Sequence, residues 1–370
     1  MENRQTYRMI ISGGGTGGHI YPAIAIANVF RERHPDAEIL FVGAEGRMEM
    51  TRVPEAGYKI IGLNVAGIQR RLTLQNLLFP FKLILSIVKA RGIIKSFRPD
   101  VVVGTGGYAS GPIMMAATNK GIPAVIQEQN SYAGLTNKQV SKKAKRICVA
   151  YNGMEKFFPA DKIVVTGNPV RKDIIDLAPK KNEAMTKYGF HNSTKTLLII
   201  GGSLGARTIN ESVFNGLDRL IAAKVQVIWQ TGKFYFDDIQ KQVVGKDLSM
   251  VRISDFVKQM DLAYAAADVV ISRAGALSIS ELCLAKKPAI LVPSPNVAED
   301  HQTQNALALS KQEAAVLIKD NEAKDKLITE ALSLLNDTDR CVKLSTNIAA
   351  MGKPDAALNI VKEIEKLIVK

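Results

Sequence analysis

Three glycine-rich loops, each following an apolar run, are the residues of this chain best suited to chemistry. They are Gly13-Gly14-Gly15-Thr16-Gly17-Gly18-His19, Gly104-Thr105-Gly106-Gly107-Tyr108-Ala109-Ser110-Gly111 and Gly201-Gly202-Ser203-Leu204-Gly205-Ala206. Glycine lets a backbone approach a phosphate closely, and the N–H groups of a following helix point at it. The first loop also fits the dinucleotide fingerprint G-x-G-x-x-G, with Glu45 beyond the second strand as the acid that would hold a ribose. One dinucleotide needs one such loop. Three, divided between two halves of the chain, predict two phosphate-bearing groups held where the C-terminal ends of two sheets face each other across a cleft. A fourth segment, Ser272-Arg273-Ala274-Gly275-Ala276-Leu277-Ser278-Ile279-Ser280-Glu281, runs from a strand into a helix. Its small residues admit a ligand, and the Glu281 carboxylate could accept hydrogen bonds from both hydroxyls of a ribose.

His19 ends the first loop, where an imidazole can take a proton from an attacking hydroxyl near neutral pH. The other histidines, His34, His191 and His301, sit in a turn, a polar loop and an acidic stretch, and none is placed as well. No metal is expected, since H-x-x-x-H and H-E-x-x-H are absent. The one D-x-D, Asp337-Thr338-Asp339, falls in a polar C-terminal turn and reads as a solvated acid pair. Cys148, Cys283 and Cys341 are too few and too scattered for a disulfide framework, which points to a reducing compartment. The opening residues Met1 to Arg8 lack the basic and apolar regions of a secretory leader, so export is not expected.

The elements that must position these residues alternate between β-rich apolar runs and amphipathic helical stretches, the pattern of α/β domains with parallel sheets. Strands are predicted at 7–12, 39–42, 101–104, 124–127, 146–149 and 162–166, then at 196–200, 225–230, 250–253, 269–272, 289–292 and weakly at 315–318. At 370 residues, with 46% hydrophobic and 23% charged, the chain has room for two doubly wound domains and is neither disordered nor fibrous. The turn Gly167-Asn168-Pro169-Val170-Arg171 is the best boundary, giving domains at 1–167 and 168–349. A last helix, about 350–370, carries Leu358, Ile360, Val361, Ile364 and Leu367 at helical spacing and can pack on either domain.

Charge is uneven. Residues 1–160 hold 21 Lys+Arg and 10 Asp+Glu, against 28 and 25 in the remainder. From Gly57 to Pro99 there are eight basic residues, Lys59, Arg70, Arg71, Lys82, Lys89, Arg91, Lys95 and Arg98, and no acid. Such a field attracts phosphates of nucleic acids, nucleotides or lipid headgroups. Within it, Leu74 to Phe97 reads as a helix with Leu77, Leu78, Phe81, Ile84, Leu85 and Val88 on one face and Phe79, Leu83 and Ile87 off it. Pro80, Lys82 and Lys89 interrupt it before the ~20 apolar residues of a membrane span. Two readings remain: a core helix, or an interfacial helix with apolar surface in a bilayer and basic residues on anionic headgroups.

Taken together, these motifs closely resemble the MurG family of bacterial GT-B glycosyltransferases, which makes lipid II. The likeness rests on Gly13 to His19, Gly104 to Pro112, Gln127-Glu128-Gln129-Asn130 with Ala133 to Lys138, Gly167 to Arg171, Gly201-Gly202-Ser203 and Arg273 to Glu281. They occur in the family's order between about Tyr7 and Asn305. The resemblance implies two Rossmann-like domains facing across a cleft, the first binding acceptor and membrane and the second UDP-N-acetylglucosamine. It implies an inverting transfer of N-acetylglucosamine to the 4-hydroxyl of undecaprenyl-pyrophosphoryl-N-acetylmuramyl-pentapeptide, at the cytoplasmic face of the cell membrane. No cofactor or nucleic acid is implied, and the anionic membrane would be met through residues 70–98. On the donor, the resemblance places Arg171 and Ser203 near the phosphates, Val257 near the uracil, Ala276, Leu277 and Ser278 on phosphate and base, Glu281 on the ribose and Gln302 on the sugar. Thr16, Gly17, Gly18 and Asn130 approach the donor sugar or the acceptor pyrophosphate, and Gly14, Gly15, Gly106, Gly107 and Tyr108 form the loops on the acceptor pyrophosphate. Departures are small: Ser278 replaces a frequent threonine, Val257 an isoleucine, and Thr303 follows Gln302 where glutamine is often doubled. For the base that takes the hydroxyl proton, His19 and Glu128 both stand as candidates.

The competing functions each leave motifs unexplained. A dehydrogenase needs only the first loop, and a UDP-N-acetylglucosamine 2-epimerase gives no reason for the basic apolar segment. A lipid galactosyl- or glucosyltransferase is a nearer rival, and a non-catalytic lipid-binding module needs neither His19 nor a nucleotide pocket.

Overall fold

A computed structural model describes residues 6–65, 79–202, 204–297 and 300–368. The chain divides into one unit made of Met1–Arg171 with Pro354–Lys370 and a second made of Lys172–Lys353. Arg171 therefore ends the first unit, four residues beyond the turn glycine at 167.

In the first unit, short runs of Val, Ile and Leu give strands buried on both faces, as a helix-covered parallel sheet requires. They are β1 (Arg8–Gly13), β2 (Glu38–Ala44), β3 (Lys59–Leu63), β4 (Val101–Gly106), β5 (Ala124–Glu128), β6 (Arg146–Val149) and β7 (Ile163–Val165), in the order β3-β2-β1-β4-β5-β6-β7. All pairs are parallel. The helices are α1 (Gly17–Arg33), α2 (Glu49–Glu55), α3 (Phe79–Phe97), α4 (Gly111–Asn119) and α5 (Leu135–Ser141). Strand order reverses between β1 and β4, and in open α/β sheets ligands bind in the crevice at that switch. The two glycine loops of this unit follow those two strands. Strand β3 is absent from the sequence-based prediction: Lys-Ile-Ile-Gly-Leu is a short edge strand that neither alternates strictly nor lacks glycine.

Helix α3 buries Ala90, Ile93 and Ile94 against Ile10, Leu40, Val102 and Ile113. Ile84, Leu85 and Val88 point outward, 59%, 68% and 57% exposed. Part of the predicted apolar face thus lies outside the core, while the core-facing side is Ser86, Ala90, Ile93 and Ile94. Arg70, Arg71, Leu77 and Leu78, and the side chains of Phe79, Phe81 and Lys82, lie outside the described residues. No described helix is long and apolar enough to cross a membrane.

The second unit repeats the scheme with β8 (Thr196–Ile200), β9 (Gln226–Gln230), β10 (Val251–Ser254), β11 (Val269–Ser272), β12 (Ala289–Leu291) and β13 (Val316–Leu317), ordered β10-β9-β8-β11-β12-β13 and parallel throughout. Its helices are α6 (Lys181–Tyr188), α7 (Arg207–Ala222), α8 (Phe236–Gln242), α9 (Met260–Ala266), α10 (Ala276–Ala285), α11 (His301–Ser310), α12 (Ala323–Asn336) and α13 (Thr338–Ala350). The switch falls between β8 and β11, so the loop at 201–206 and the segment 273–281 again leave the two central strands. Asp337, expected to be solvated, caps α13 by accepting from the N–H of Arg340 at 2.9 Å.

The final helix, α14 (Ala356–Ile368), belongs to the first unit. Ala357, Ile360, Val361 and Ile364 complete a core with Met9, Ile11, Ile20, Phe30 and Cys148. At its exposed side Glu365 accepts from Arg33 and meets His34 at 2.8 Å.

Candidate active site

In the first unit the two glycine loops interlock, and the glycines are needed because the contacts leave no room for a Cβ. One on Gly13 would stand 1.8 Å from Oγ1 of Thr105, and one on Gly107 (φ +76°) 2.3 Å from the carbonyl of Gly14. The Thr105 hydroxyl donates to the carbonyl of His19 at 2.7 Å. Tyr108 lies against Gly15. Gly14, Gly15, His19, Gly106, Gly107 and Tyr108 are thereby brought together, as the sequence pattern anticipates.

A residue the sequence reading missed holds this assembly from below. Glu49, fully buried at the start of α2, accepts from the N–H of Ala44 at 2.9 Å and from that of Gly15 at 3.0 Å. The N–H of Gly15 is therefore taken, and an anion at this loop must be met by other N–H groups of the turn. Glu45, the acid considered for a ribose, instead pairs with Lys89 on α3 at 2.8 Å.

Nδ1 of His19 lies 2.9 Å from the carbonyl of Thr105 and 3.1 Å from Oε1 of Gln129. Positive-φ Gly106 and Gly107 let the second loop pass against the imidazole. Glu128, the rival base, is 1% exposed and accepts from the N–H groups of Asn130 (3.1 Å) and Gly134 (3.0 Å) and from Nδ2 of Asn137 (2.8 Å) and of Asn130 (3.4 Å). Both its oxygens are engaged in shaping the loop that carries Asn130. Thr16 is exposed at the N-cap of α1, in extended backbone, and its side chain makes no capping bond. Gly17 and Gly18 form the first turn, which contains no acid. The Arg171 guanidinium lies over the Tyr21 ring of the same helix, 5.8 Å from its centre.

In the second unit neutral amides and one ion pair hold the ligand-type segment. Gln230, buried at the end of β9, donates to the carbonyl of Gly202 at 3.0 Å and accepts from the N–H of Val257 at 2.9 Å. It thus fixes the third glycine loop to Val257. Asn305 on α11 donates to the carbonyl of Ala274 at 3.3 Å, and Gln302 accepts from the N–H of Ser294 at 2.9 Å. Gly275 caps α10 in extended backbone, and Ala276, Leu277 and Ser278 form its acid-free first turn. A helix start of this kind attracts anions. Glu281 follows, accepting from the Tyr264 hydroxyl at 3.2 Å. Arg273 is engaged with the carbonyls of Val292 and Pro293 and with Asp320, and so serves as a strut. Ser203 lies outside the described residues. Glu49, Gln230 and Asn305 gave no motif in the sequence, since each acts by hydrogen bonding backbone remote from it.

Two doubly wound units with glycine loops at their switch points are the scaffold of the glycosyltransferase class that the sequence matches. The chain belongs to glycosyltransferase family 28: the family's N-terminal domain matches residues 9–149 and its C-terminal domain residues 196–360. Among relatives, it is 58% identical to the UDP-N-acetylglucosamine--N-acetylmuramyl-(pentapeptide) pyrophosphoryl-undecaprenol N-acetylglucosamine transferase of Parabacteroides distasonis, over 98% of this chain and 99% of that one. It is 55% identical to the protein of the same name from Cytophaga hutchinsonii, over 100% and 99%. Among solved structures, the crystal structure of Acinetobacter baumannii MurG is similar with a TM-score of 0.75 and 27% identity, over 98% of this chain and all of that one.

Proposed function

We propose that this enzyme transfers N-acetylglucosamine from UDP-N-acetylglucosamine to undecaprenyl-pyrophosphoryl-N-acetylmuramyl-pentapeptide, converting lipid I to lipid II for peptidoglycan synthesis. The full-length likeness to relatives of that name carries this reading. The acceptor 4-hydroxyl attacks the anomeric carbon from the face opposite the UDP group. The new glycosidic bond forms as the bond to the UDP oxygen breaks, the α linkage becomes β, and the hydroxyl proton passes to His19. Charge then grows on the departing phosphate, where the α10 N-terminus and Arg171 oppose it with no metal or cofactor. His19 is preferred to Glu128 as the base because both oxygens of Glu128 already accept hydrogen bonds from its loop. Ser203 and Val257 complete the donor pocket around phosphate and uracil, Glu281 binds the ribose and Gln302 the sugar.

We further place the enzyme peripherally on the cytoplasmic face of the inner membrane, with α3 as the contact. Ile84, Leu85 and Val88 lie beside the exposed Lys89, Arg91 and Lys95, a combination that joins apolar insertion to attraction for anionic headgroups. The test of function is UDP release from UDP-N-acetylglucosamine with a short-chain lipid-linked acceptor analogue. Release should require both; release undiminished when the acceptor is omitted would indicate hydrolysis of the donor and overturn the reading.

A further inference from the structure

The buried amides beneath His19 form a relay. Asn168 Nδ2 donates to the carbonyl of Gln129 at 3.1 Å, and Gln127 Nε2 donates to Oδ1 of Asn168 at 3.1 Å. Gln127 Oε1 then accepts from Nε2 of Gln129, which also donates to the Thr105 carbonyl at 2.6 Å. With its nitrogen committed in this way, Gln129 can present only its oxygen to His19. Gln127, Gln129 and Asn168 are all at most 3% exposed, so water does not offer an alternative set of partners.

His19 Nδ1 thus faces two acceptors, the Thr105 carbonyl and Gln129 Oε1, neither of which can donate. A lone pair there would be repelled by both oxygens, so the proton of the neutral ring belongs on Nδ1. We infer that Gln129 is a positioning residue that, with the Thr105 carbonyl, holds His19 as its Nδ1–H tautomer and leaves Nε2 as a bare lone pair. Histidine in water favours the opposite tautomer, with the proton on Nε2, which could not accept the hydroxyl proton at that atom. Gln127 and Asn168 act one step further back, by fixing which end of the Gln129 amide meets the ring. The catalytic consequence rests on the reading that His19 is the base; the tautomer itself does not.

The experiment is ¹⁵N NMR of the full-length enzyme labelled at histidine, in mildly alkaline buffer. There are four histidines, and the His19 signals are assigned by their loss in His19→Asn. Wild-type His19 should show a protonated Nδ1 and an unprotonated Nε2. A protonated Nε2 would overturn the inference without any variant. Gln129→Met should mix the two tautomers and lower kcat by about tenfold or more, within the 10²–10⁴ that a general base is worth, with UDP affinity unchanged. An unaltered tautomer in a folded Gln129→Met would remove Gln129 from the role. A mixed tautomer with undiminished kcat would uphold the hold of Gln129 on the ring and overturn His19 as base.

Discussion

The two units hold similar loops at similar places with different mixtures of groups. In the first, buried carboxylates act beside the amides under His19: Glu49 ties Gly15 to the end of β2, and Glu128 ties Asn130 to Gly134. In the second, amides act beside the Arg273–Asp320 pair: Gln230, Asn305 and Gln302 each bond backbone of a neighbouring loop. A carboxylate consumes N–H groups that would otherwise face a ligand, which on the proposed reaction suits the side that takes the hydroxyl proton. Amides leave the α10 N-terminus facing no fixed negative charge in its first turn, which suits a diphosphate. On the proposed reaction, the first unit serves turnover and the second donor affinity.

That division breaks most visibly at His19. His19→Ala is expected to lower kcat by roughly 10²–10⁴ while leaving UDP affinity, measured by calorimetry, within about twofold. Loss of UDP binding in that variant would erase the contrast between the units.

The units also differ in what they show to solvent, since among the described residues only the first places three large exposed apolar side chains within five residues of one helix. Ile84→Ser with Leu85→Ser should weaken binding to anionic vesicles at every salt concentration, by up to ~1.5–3 kcal/mol per side chain. Charge reversal at Lys89, Arg91 and Lys95 should act mainly at low salt, by about 1 kcal/mol each. Activity on a water-soluble acceptor should survive both sets of changes; a salt-independent effect of charge reversal would contradict the assignment.

On the second unit, Glu281→Gln keeps the shape but turns one acceptor oxygen into a donor. Loss of one ribose hydroxyl bond costs roughly 1.5–3 kcal/mol, so UDP affinity should fall about tenfold or more. Unchanged calorimetric affinity would take Glu281 out of the pocket. The smallest effect is expected at Gln302, whose oxygen is already bonded to Ser294. Gln302→Ala should weaken UDP-N-acetylglucosamine binding by about 2–10-fold and leave UDP binding alone, since the bond lost is a single neutral one. An equal loss for UDP would mean that Gln302 shapes the nucleotide pocket instead.

Much of this architecture was legible from local signals. Eleven strands could be placed from apolar runs, and a twelfth, weaker one at 316–317, because buried parallel strands leave few polar positions. The glycine loops were legible because a missing Cβ is itself the functional feature: Gly13 and Gly107 are where other backbone or side chain must pass. Strand β3 escaped because an edge position imposes little pattern on five residues. Glu49 escaped for a different reason. It stands 34 residues from the loop it holds, and only the parallel pairing of β1 with β2 brings the two together. Glu128 was legible as a carboxylate beside an active motif, yet its part emerged only with the four donors around it. The boundary near 167–171 could be placed from turn residues, but no local signal assigns the final helix to either body.

That final helix sets an order of events during synthesis. Residues 1–171 leave the ribosome first, yet their hydrophobic centre lacks Ile360, Val361 and Ile364 until the chain has grown to residue 364, another 193 residues. At the usual ~5–20 residues per second, that interval is about 10–40 s. The first body to be translated is thus the last to be closed, and until then Met9, Ile20 and Phe30 lack the part of their core that the final helix supplies.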